Sequence, residues 1–564
     1  MKHESRTSPF FLEELRGKYL WLAVLVAFLL VGRALYAYHL EVNSDEPQHL
    51  HVAWAWVQGL LPYRDVFDNH APLFSSIYSS VLWILGERSD VVPLMRLTNL
   101  PWYLLTLWAT YRLGSAIFDK WTGLAAAAIT ATESTFFLKS IEFRPDTMWA
   151  AVWVVALALG MEGTLSVRRS IGVGLLVGIA LAVSIKTSVL LASAFVASTV
   201  LLALAAYDHR TIDMPFWTRR VAAGLGGFAI VPGLVVVMFS VLGAWPAMRY
   251  CLIEHNVAPG LGRWSDSIVS LRQWAALFIA PPLVYVAYLM CRRVDDQQKS
   301  FKRAWLLLAC CSYLLLRDAF LPLIAGQDLL PWIPMISPFV AAGIGWFARK
   351  ISLPERTAFL RAAVLVFVVV AQVSLVIARH PFWEDDTAEY SHRLSAILDL
   401  AKPDDTVLDA KGDAIFRPRA TYWTFENVSR FRFATGLIKD DIDARLASCH
   451  VAVVIGDDWP QPLSDFIHAN YILLGQDIFI AGKHVAKMEA GARGDVDVAV
   501  AQTYRISTDG KPFSGDVDGT PYSGARVLTK GKHSLAPLSS GSVDLEWAGT
   551  APDPCPSSFR QATL

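Results

Sequence analysis

The chain is poor in charge. Of its 564 residues only 18% are Asp, Glu, Lys or Arg, against 54% hydrophobic, and the mean hydropathy is +0.39. Such a shortfall excludes an ordinary soluble protein, in which about a quarter of residues are charged, and places the chain in a membrane. Charge imbalance is lacking too: 50 basic residues offset 50 acidic ones, for a formal net charge of zero. Without a concentrated basic surface to neutralise phosphates, no nucleic-acid partner is expected. Cysteine is scarce, at Cys251, Cys291, Cys310, Cys311, Cys449 and Cys555, with no CxxC pair and none of the histidine spacing of a zinc site. Most of these thiols read as small core residues. Cys449 and Cys555 fall in the polar C-terminal third and would pair if that part meets an oxidising compartment. There is no internal repeat and no low-complexity tract.

What is abundant is the long apolar run. A helix crossing about 30 Å of hydrocarbon needs roughly 20 mostly apolar residues. Runs of this kind lie near residues 18 to 40, 92 to 114, 121 to 139, 146 to 163, 171 to 186, 188 to 206, 221 to 243, 273 to 291, 304 to 320, 332 to 348 and 361 to 379. The sequence thus predicts a polytopic α-helical membrane protein with about eleven transmembrane helices. The first run follows the polar stretch "MKHESRTSPFFLEELRGK" and lacks an A-x-A-like cleavage site, so it reads as a retained anchor behind a cytoplasmic segment, residues 1–17.

Loop charges set the orientation. Arg112 and Lys120, then Arg168 and Arg169, then Arg210, Arg219 and Arg220, then "CRRVDDQQKSFKR", then Arg349, Lys350, Arg356 and Arg361 fall in alternate loops. The positive-inside rule assigns them to the cytoplasm. The intervening loops face outward, namely residues 41–91, "KSIEFRPD", the segment 244–272 and "RDAFLPLIAGQDLLP". An odd number of spans then exports everything after about residue 380. In a bacterial inner membrane this puts the C-terminal region on the periplasmic or extracytoplasmic side. That third divides into a soluble α/β unit at 381–488, where "TVLDA", "HVAVVIGDD" and "YILLGQDIFIAGKHV" alternate with helical patterns, and a β-rich unit with a loose tail at 489–564.

The first outward loop concentrates titratable chemistry. "SDEPQHLHVAWAWVQG" has Leu50, Trp54 and Val57 at helical spacing and reads as an interfacial amphipathic helix, with Asp45 as cap, Pro47 in the first turn and Gln48 at the capping-box position. On the plain reading Asp45 only satisfies backbone amides and Glu46 only complements the helix dipole. The same helix start places Asp45 and Glu46 on one face with His49, and "DVFDNHAPLF" adds Asp65, Asp68, Asn69 and His70 before a second amphipathic run, Leu73 to Leu85. Such carboxylates and imidazoles can deprotonate an acceptor hydroxyl or ligate a divalent cation, through Asp45, Glu46, His49 or His70. Other outward positions repeat the theme: Arg144 and Asp146 in "SIEFRPDTMW", Lys186 in "AVSIKTSVLL", then Arg317, Asp318, Gln327 and Asp328. Each alone is explained as a cap, an anchor or an ion pair, but charge collected beside hydrocarbon on one face marks function.

The acidic pair, the "D-x-F-D-N-H-A-P-L" element, the "R-P-D" opening a later span and the lysine in "S-I-K-T-S" together resemble, over residues 18–380, the GT-C membrane glycosyltransferases. Among these the chain is most similar to bacterial protein O-mannosyltransferase relatives, aminoarabinose transferases and rhizobial lipopolysaccharide transferases. The resemblance implies a sugar moved from a polyprenyl-phosphate donor to an envelope lipid, polysaccharide or protein acceptor at the outer membrane face. It implies catalytic roles for Asp45, Glu46 and Asp146, and a donor-phosphate contact for Lys186. The element from Asp68 to Leu73 departs from the E-K-P-P-L of relatives by carrying Asn69, His70 and Ala71, and "GQDLLPWIPMISP" lacks their basic-aromatic pair, so Gln327 and Asp328 inherit no phosphate-binding role. His49, Asp68, Asn69, His70, Arg144, Lys186 and Arg317 are the expected substrate-binding residues. No cofactor is assigned with certainty, and a divalent metal is left open. Two other classes remain, a transporter or flippase of envelope lipids and a non-catalytic envelope scaffold.

Overall fold

A computed structural model describes residues 26–210, 213–262, 271–291 and 297–549. The segment 1–17, expected to be cytoplasmic, the start of the first apolar run and the final tail lie outside them. Within the described residues every expected apolar run is helical. They form α1 (Val26–His39), α4 and α5 (Val91–Leu97, Leu100–Ile117), α6 and α7 (Lys120–Thr132, Ser134–Lys139), α8 (Pro145–Met161), α9 (Val167–Val183) and α10 (Thr187–Tyr207). The series continues with α11 (Met214–Val241), α13 (Leu271–Cys291), α14 (Gln297–Phe320), α15 (Trp332–Ile351) and α16 (Thr357–Arg379).

Among the described residues three helical segments are long and apolar enough on their own to cross a bilayer, Thr187–Tyr207, Met214–Val241 and Pro354–Arg379. The others are shorter or more polar, and some lie inside the bundle. Helix α8, for instance, buries almost every side chain from Pro145 to Met161, and the run expected at 121–139 is broken where Glu133 turns to cap the backbone N–H of Phe136 at 2.7 Å. Helices α9 and α11 meet backbone to backbone. A Cβ added at Gly174 would collide with the carbonyl of Gly224, which is how small residues let helices pack closely in a membrane.

The basic loops gather at one end of the bundle. There Arg112 pairs with Glu162 at 2.7 Å, Lys302 donates to the carbonyls of Met161 and Gly163 at 2.8 and 2.7 Å, and Arg303 donates to that of Ile117 at 2.6 Å. At the other end the loops expected to face outward meet the C-terminal third. Arg96 donates to Thr387 Oγ1 at 3.1 Å, Arg417 pairs with Glu87 at 3.0 Å and His255 Nε2 lies 2.9 Å from Glu426.

Between bundle and C-terminal third lies α2 (Asp45–Val57). It is not the surface helix its tryptophans suggest: ten consecutive residues, Glu46 to Ala55, are buried. A helix apolar or covered all round is a core element, and here the C-terminal third supplies the cover. His51 donates its Nδ1–H to the carbonyl of Ile415 at 2.9 Å, and Gly412, at φ +88°, sits so tightly on the His51 ring that a side chain would clash. The interfacial character belongs to α3 (Leu73–Leu85), which buries Phe74, Tyr78 and Leu82 at helical spacing and exposes Ile77, Trp83 and Ile84.

The C-terminal part opens with α17 (Asp386–Leu400) and includes α18 (Asn427–Ala434), α19 (Ile442–Ser448) and α20 (Leu463–Asn470). Strands β1 (Val407–Leu408) and β2 (Val453–Ile455) run parallel, and β4 (Ile478–Met488) pairs antiparallel with β2 and with β3 (Tyr471–Gly475). The same β4 then pairs with β12 (Gly541–Trp547), followed outward by β6 (Gln502–Thr508) and β10 (Arg526–Leu528). A second sheet is built on β11 (Gly531–Pro537), with β5 (Gly494–Val498) on one side and β8 (Gly515–Val517) on the other. The first sheet therefore runs through residue 488, the boundary expected from sequence, and one hydrophobic core extends from Ile397 to Trp547. Cys449 is disulfide-bonded and Cys251, Cys291, Cys310 and Cys311 are free thiols. The partner expected for Cys449, Cys555, lies outside the described residues.

Candidate active site

The site begins with two short sequence signals. In "EFRPD" Pro145 occupies the first position of α8, a place where its missing N–H costs nothing. Arg144 before it is consequently extended, with φ −143° and ψ 156°, and turns toward the start of α2. Asp146, in the first turn of α8, lies where the helix dipole favours a carboxylate. In "SIKTS" the chain breaks between α9 and α10, and Lys186 stands in the gap.

These segments assemble a line of alternating charges. Arg144 Nη1 donates to Asp45 Oδ2 and, at 3.0 Å, to Asn43 Oδ1, while its Nε lies 3.2 Å from Asp146 Oδ2. Asp146 Oδ1 is 3.5 Å from Lys186 Nζ, which is 2.6 Å from Asp328 Oδ1. At the opposite end Lys411, from the C-terminal third, reaches Asp45 Oδ1 at 2.8 Å and Ser44 Oγ at 3.1 Å. The order is Lys411, Asp45, Arg144, Asp146, Lys186, Asp328: three cations interleaved with three carboxylates from five separate stretches of chain.

The environment fixes their charge states. Burial would raise the Asp45 carboxyl, but the charges of Arg144 and Lys411 outweigh it and hold the group well below the usual carboxylate range. Burial likewise works against the Arg144 cation, and Asp45, Asp146 and Glu142 more than restore it. His49 is driven the other way: burial, then the charges of His70 and Arg144, push its pKa well down. The imidazole is neutral, its Nε2 has no hydrogen-bond partner, and its ring meets that of His70 edge-on at 4.5 Å.

The structure brings Asp45, Arg144, Asp146 and Lys186 together as the sequence suggests, with His49 and His70 beside them. Three assignments need correction. Asp45 does not cap α2: its own N–H is taken by Asn43 Oδ1 at 3.0 Å, and both of its carboxylate oxygens face cations. Glu46, expected to be catalytic, is fully buried and fully used. It accepts from Arg96 Nη2 at 2.6 Å, Arg96 Nε at 2.8 Å, the Phe143 N–H at 2.7 Å and the Asn43 N–H at 3.0 Å. These contacts fix the loop that carries Arg144 against the start of α2. Asp68 and Asn69, expected to bind substrate, are both engaged by neighbouring protein groups. Asp68, 1% exposed, accepts from the N–H of His70 at 2.9 Å and lies 3.1 Å from its Nδ1, and Asn69 is tied to Asn256.

Arg317 stands slightly apart. It pairs with Asp318 at 3.0 Å and lies one turn along α14 from Tyr313, whose hydroxyl donates to the Asp328 carbonyl at 2.6 Å. The metal candidates do not form a donor set. Glu46 is bound to Arg96, Asp45 to two other cations, and among the described residues no group of three His, Cys, Asp or Glu side chains converges. Asp328, named among the outward charged positions but given no phosphate-binding role for want of the relatives' basic-aromatic pair, enters the line as the partner of Lys186. Lys411 carries no local signal, being 366 residues from Asp45.

A bundle of this kind, capped on one side by a mixed domain over charged loops, has the fold of the GT-C membrane glycosyltransferases. Within it residues 69–245 match the family model for dolichyl-phosphate-mannose-protein mannosyltransferase, a stretch that contains Arg144, Asp146 and Lys186. ArnT from Cupriavidus metallidurans in the apo state is similar with TM-score 0.54 and 12% identity, over 82% of this chain and 98% of that one. The same protein bound to undecaprenyl phosphate gives 0.51 and 14%, over 82% and 97%. No curated protein matches the chain.

Proposed function

We propose that the protein is a polytopic glycosyltransferase with about eleven spans. It moves a sugar from a polyprenyl-phosphate donor to a lipid, polysaccharide or protein acceptor of the cell envelope, at the outer face of a bacterial inner membrane. The observation that carries this reading is the juxtaposition of Asp45 with Arg144, Asp146 and Lys186 at the bundle end covered by the C-terminal third. A transporter would hold its ionisable groups near the bilayer midplane, whereas this line runs along helix ends. The undecaprenyl phosphate bound by ArnT supports a donor of the same lipid class.

The chemistry asks little covalent work of the protein. A sugar on a phosphate already has an anionic leaving group, so the enzyme must hold that phosphate, position the acceptor and accept one proton. Lys186 and Arg144 supply positive charge, with Arg317 nearby. Asp45, kept ionised, accepts the proton from the acceptor hydroxyl as its oxygen attacks the anomeric carbon from the face opposite the phosphate. The product therefore has inverted configuration. Glu46 and Arg96 keep the two loops in register.

Mass spectrometry of envelope glycolipids and glycoproteins from a strain lacking the gene tests the reading. Loss of one glycosyl unit from a lipid, glycan or protein is expected and names sugar and acceptor together. An unchanged envelope, or a product of retained configuration in reconstituted transfer, overturns it.

A further inference from the structure

Lys411 is the one member of the charged line that comes from beyond the membrane bundle. Its loop is held firmly: Asp409 accepts from the N–H groups of Gly412 and Ala414 at 2.7 and 3.1 Å and from Arg419 Nε at 2.7 Å, and the loop rests on His51. Backbone movement is thereby restricted, while the lysine's four-carbon stem still rotates. The other two cations are more firmly tied. Arg144, 4% exposed, faces Asp45, Asp146, Glu142 and Asn43, and Lys186 lies between Asp146 and Asp328. Lys411 pairs with one carboxylate, Asp45, and with the Ser44 hydroxyl; its side chain is 19% open against 26% for Lys186, so what distinguishes it is one carboxylate partner where Lys186 has two. Together Lys411 and Arg144 engage both oxygens of Asp45, so the carboxylate proposed to take a proton is not free to take one.

Resting on the glycosyltransferase reading, we propose that Lys411 is an exchangeable latch: it holds Asp45 until the donor binds, then passes to the donor phosphate and releases the carboxylate for catalysis. In the step that follows, the acceptor oxygen bonds to the anomeric carbon, the bond from that carbon to the phosphate oxygen breaks, and its electron pair leaves with the phosphate beside the Lys411 ammonium. The acceptor's proton goes to Asp45 Oδ1, the oxygen Lys411 vacates. Arg144, His49 and His70 also face Asp45 but belong to the bundle and its loops, so the latch makes catalysis depend on the seating of the exported domain.

The test is binding of undecaprenyl phosphate to the detergent-purified full chain by titration calorimetry. Lys411→Ala is expected to weaken binding about tenfold and Lys411→Arg by about threefold or less, as for a charge-assisted hydrogen bond. Asp45→Asn is expected to tighten binding several-fold, because the carboxylate no longer competes for the cations, and most of that gain should vanish in the Lys411→Ala background. Unchanged affinity of Lys411→Ala, or a full Asp45→Asn gain without Lys411, overturns the latch alone. If Lys411→Ala does not fold, Lys411→Gln takes its place, and weaker or equal binding by Asp45→Asn is itself sufficient to overturn it. A wild-type chain that binds no undecaprenyl phosphate overturns the glycosyltransferase reading and the latch with it.

Discussion

Arg144 holds Asp45 and Asp146 at once, donating through Nη1 to the first and lying 3.2 Å through Nε from the second. One planar guanidinium thereby fixes two carboxylates that are separated by about a hundred positions in sequence, a task for which its forked donors suit it better than a lysine. The relationship converts two loop signals into one site.

Asp45→Asn keeps the shape of the site and removes the proton acceptor. Transfer should fall by about a hundred- to ten-thousand-fold, the usual share of a general base, with the purified protein still monodisperse and still binding donor. Full turnover by this variant in a reconstituted assay would refute the assignment.

Glu46→Ala should damage the fold rather than the chemistry. It strands the buried Arg96 and releases the N–H of Phe143, a loss of about 3–5 kcal/mol on the scale of broken buried ion pairs. A large fall in melting temperature is expected. A stable Glu46→Ala variant with lost activity would instead return Glu46 to the catalytic set.

Lys186→Ala leaves Asp146 and Asp328 buried without their shared cation. Stability and donor affinity should both drop, the affinity by about tenfold or more. Adding Asp328→Asn removes one uncompensated charge, so the double variant should recover stability but not affinity. Recovery of both would show that Lys186 acts only on the fold.

Acid should destabilise the protein through the histidines of α2. Burial, helped by Arg419 and opposed by Asp409, lowers His51 to about 4 from 6.5, and His49 is lowered as well. The folded protein then refuses a proton that an unfolded chain accepts. The stability contributed is complete above about pH 6.5, declines by up to about 1.4 kcal/mol per pH unit for each group as pH falls, and levels off below the folded pKa. Melting temperatures between pH 7 and pH 4.5 should show a shallower decline for His51→Asn, whose amide can still donate to Ile415. An identical slope would exclude His51 as a contributor.

Gly174→Val should separate α9 from α11, since the added side chain meets the backbone of Gly224. Poor membrane insertion or a markedly lower melting temperature is expected, whereas Gly226→Ala, at a position facing open space, should be neutral.

The sequence by itself determined the membrane class, because hydrocarbon demands long apolar helices whatever the detailed packing, and each run so identified is helical where described. It also sorted the loops onto two ends of the bundle, since charge is costly to move across a bilayer, and it singled out Asp45, Arg144, Asp146 and Lys186 through order and spacing. Only the tertiary structure decided what those groups do to one another. Glu46 and Asp45 are adjacent in a helix start and look equivalent on paper, yet one turns into a sealed contact with Arg96 and the other into the charged line. Helical periodicity could not foresee that α2 is covered on its second face, because the cover comes from Gly412 and Ile415 far along the chain. Lys411 was invisible for the same reason: a long-range ion pair leaves no periodic or local trace, and only folding brings the C-terminal domain onto the helix it completes.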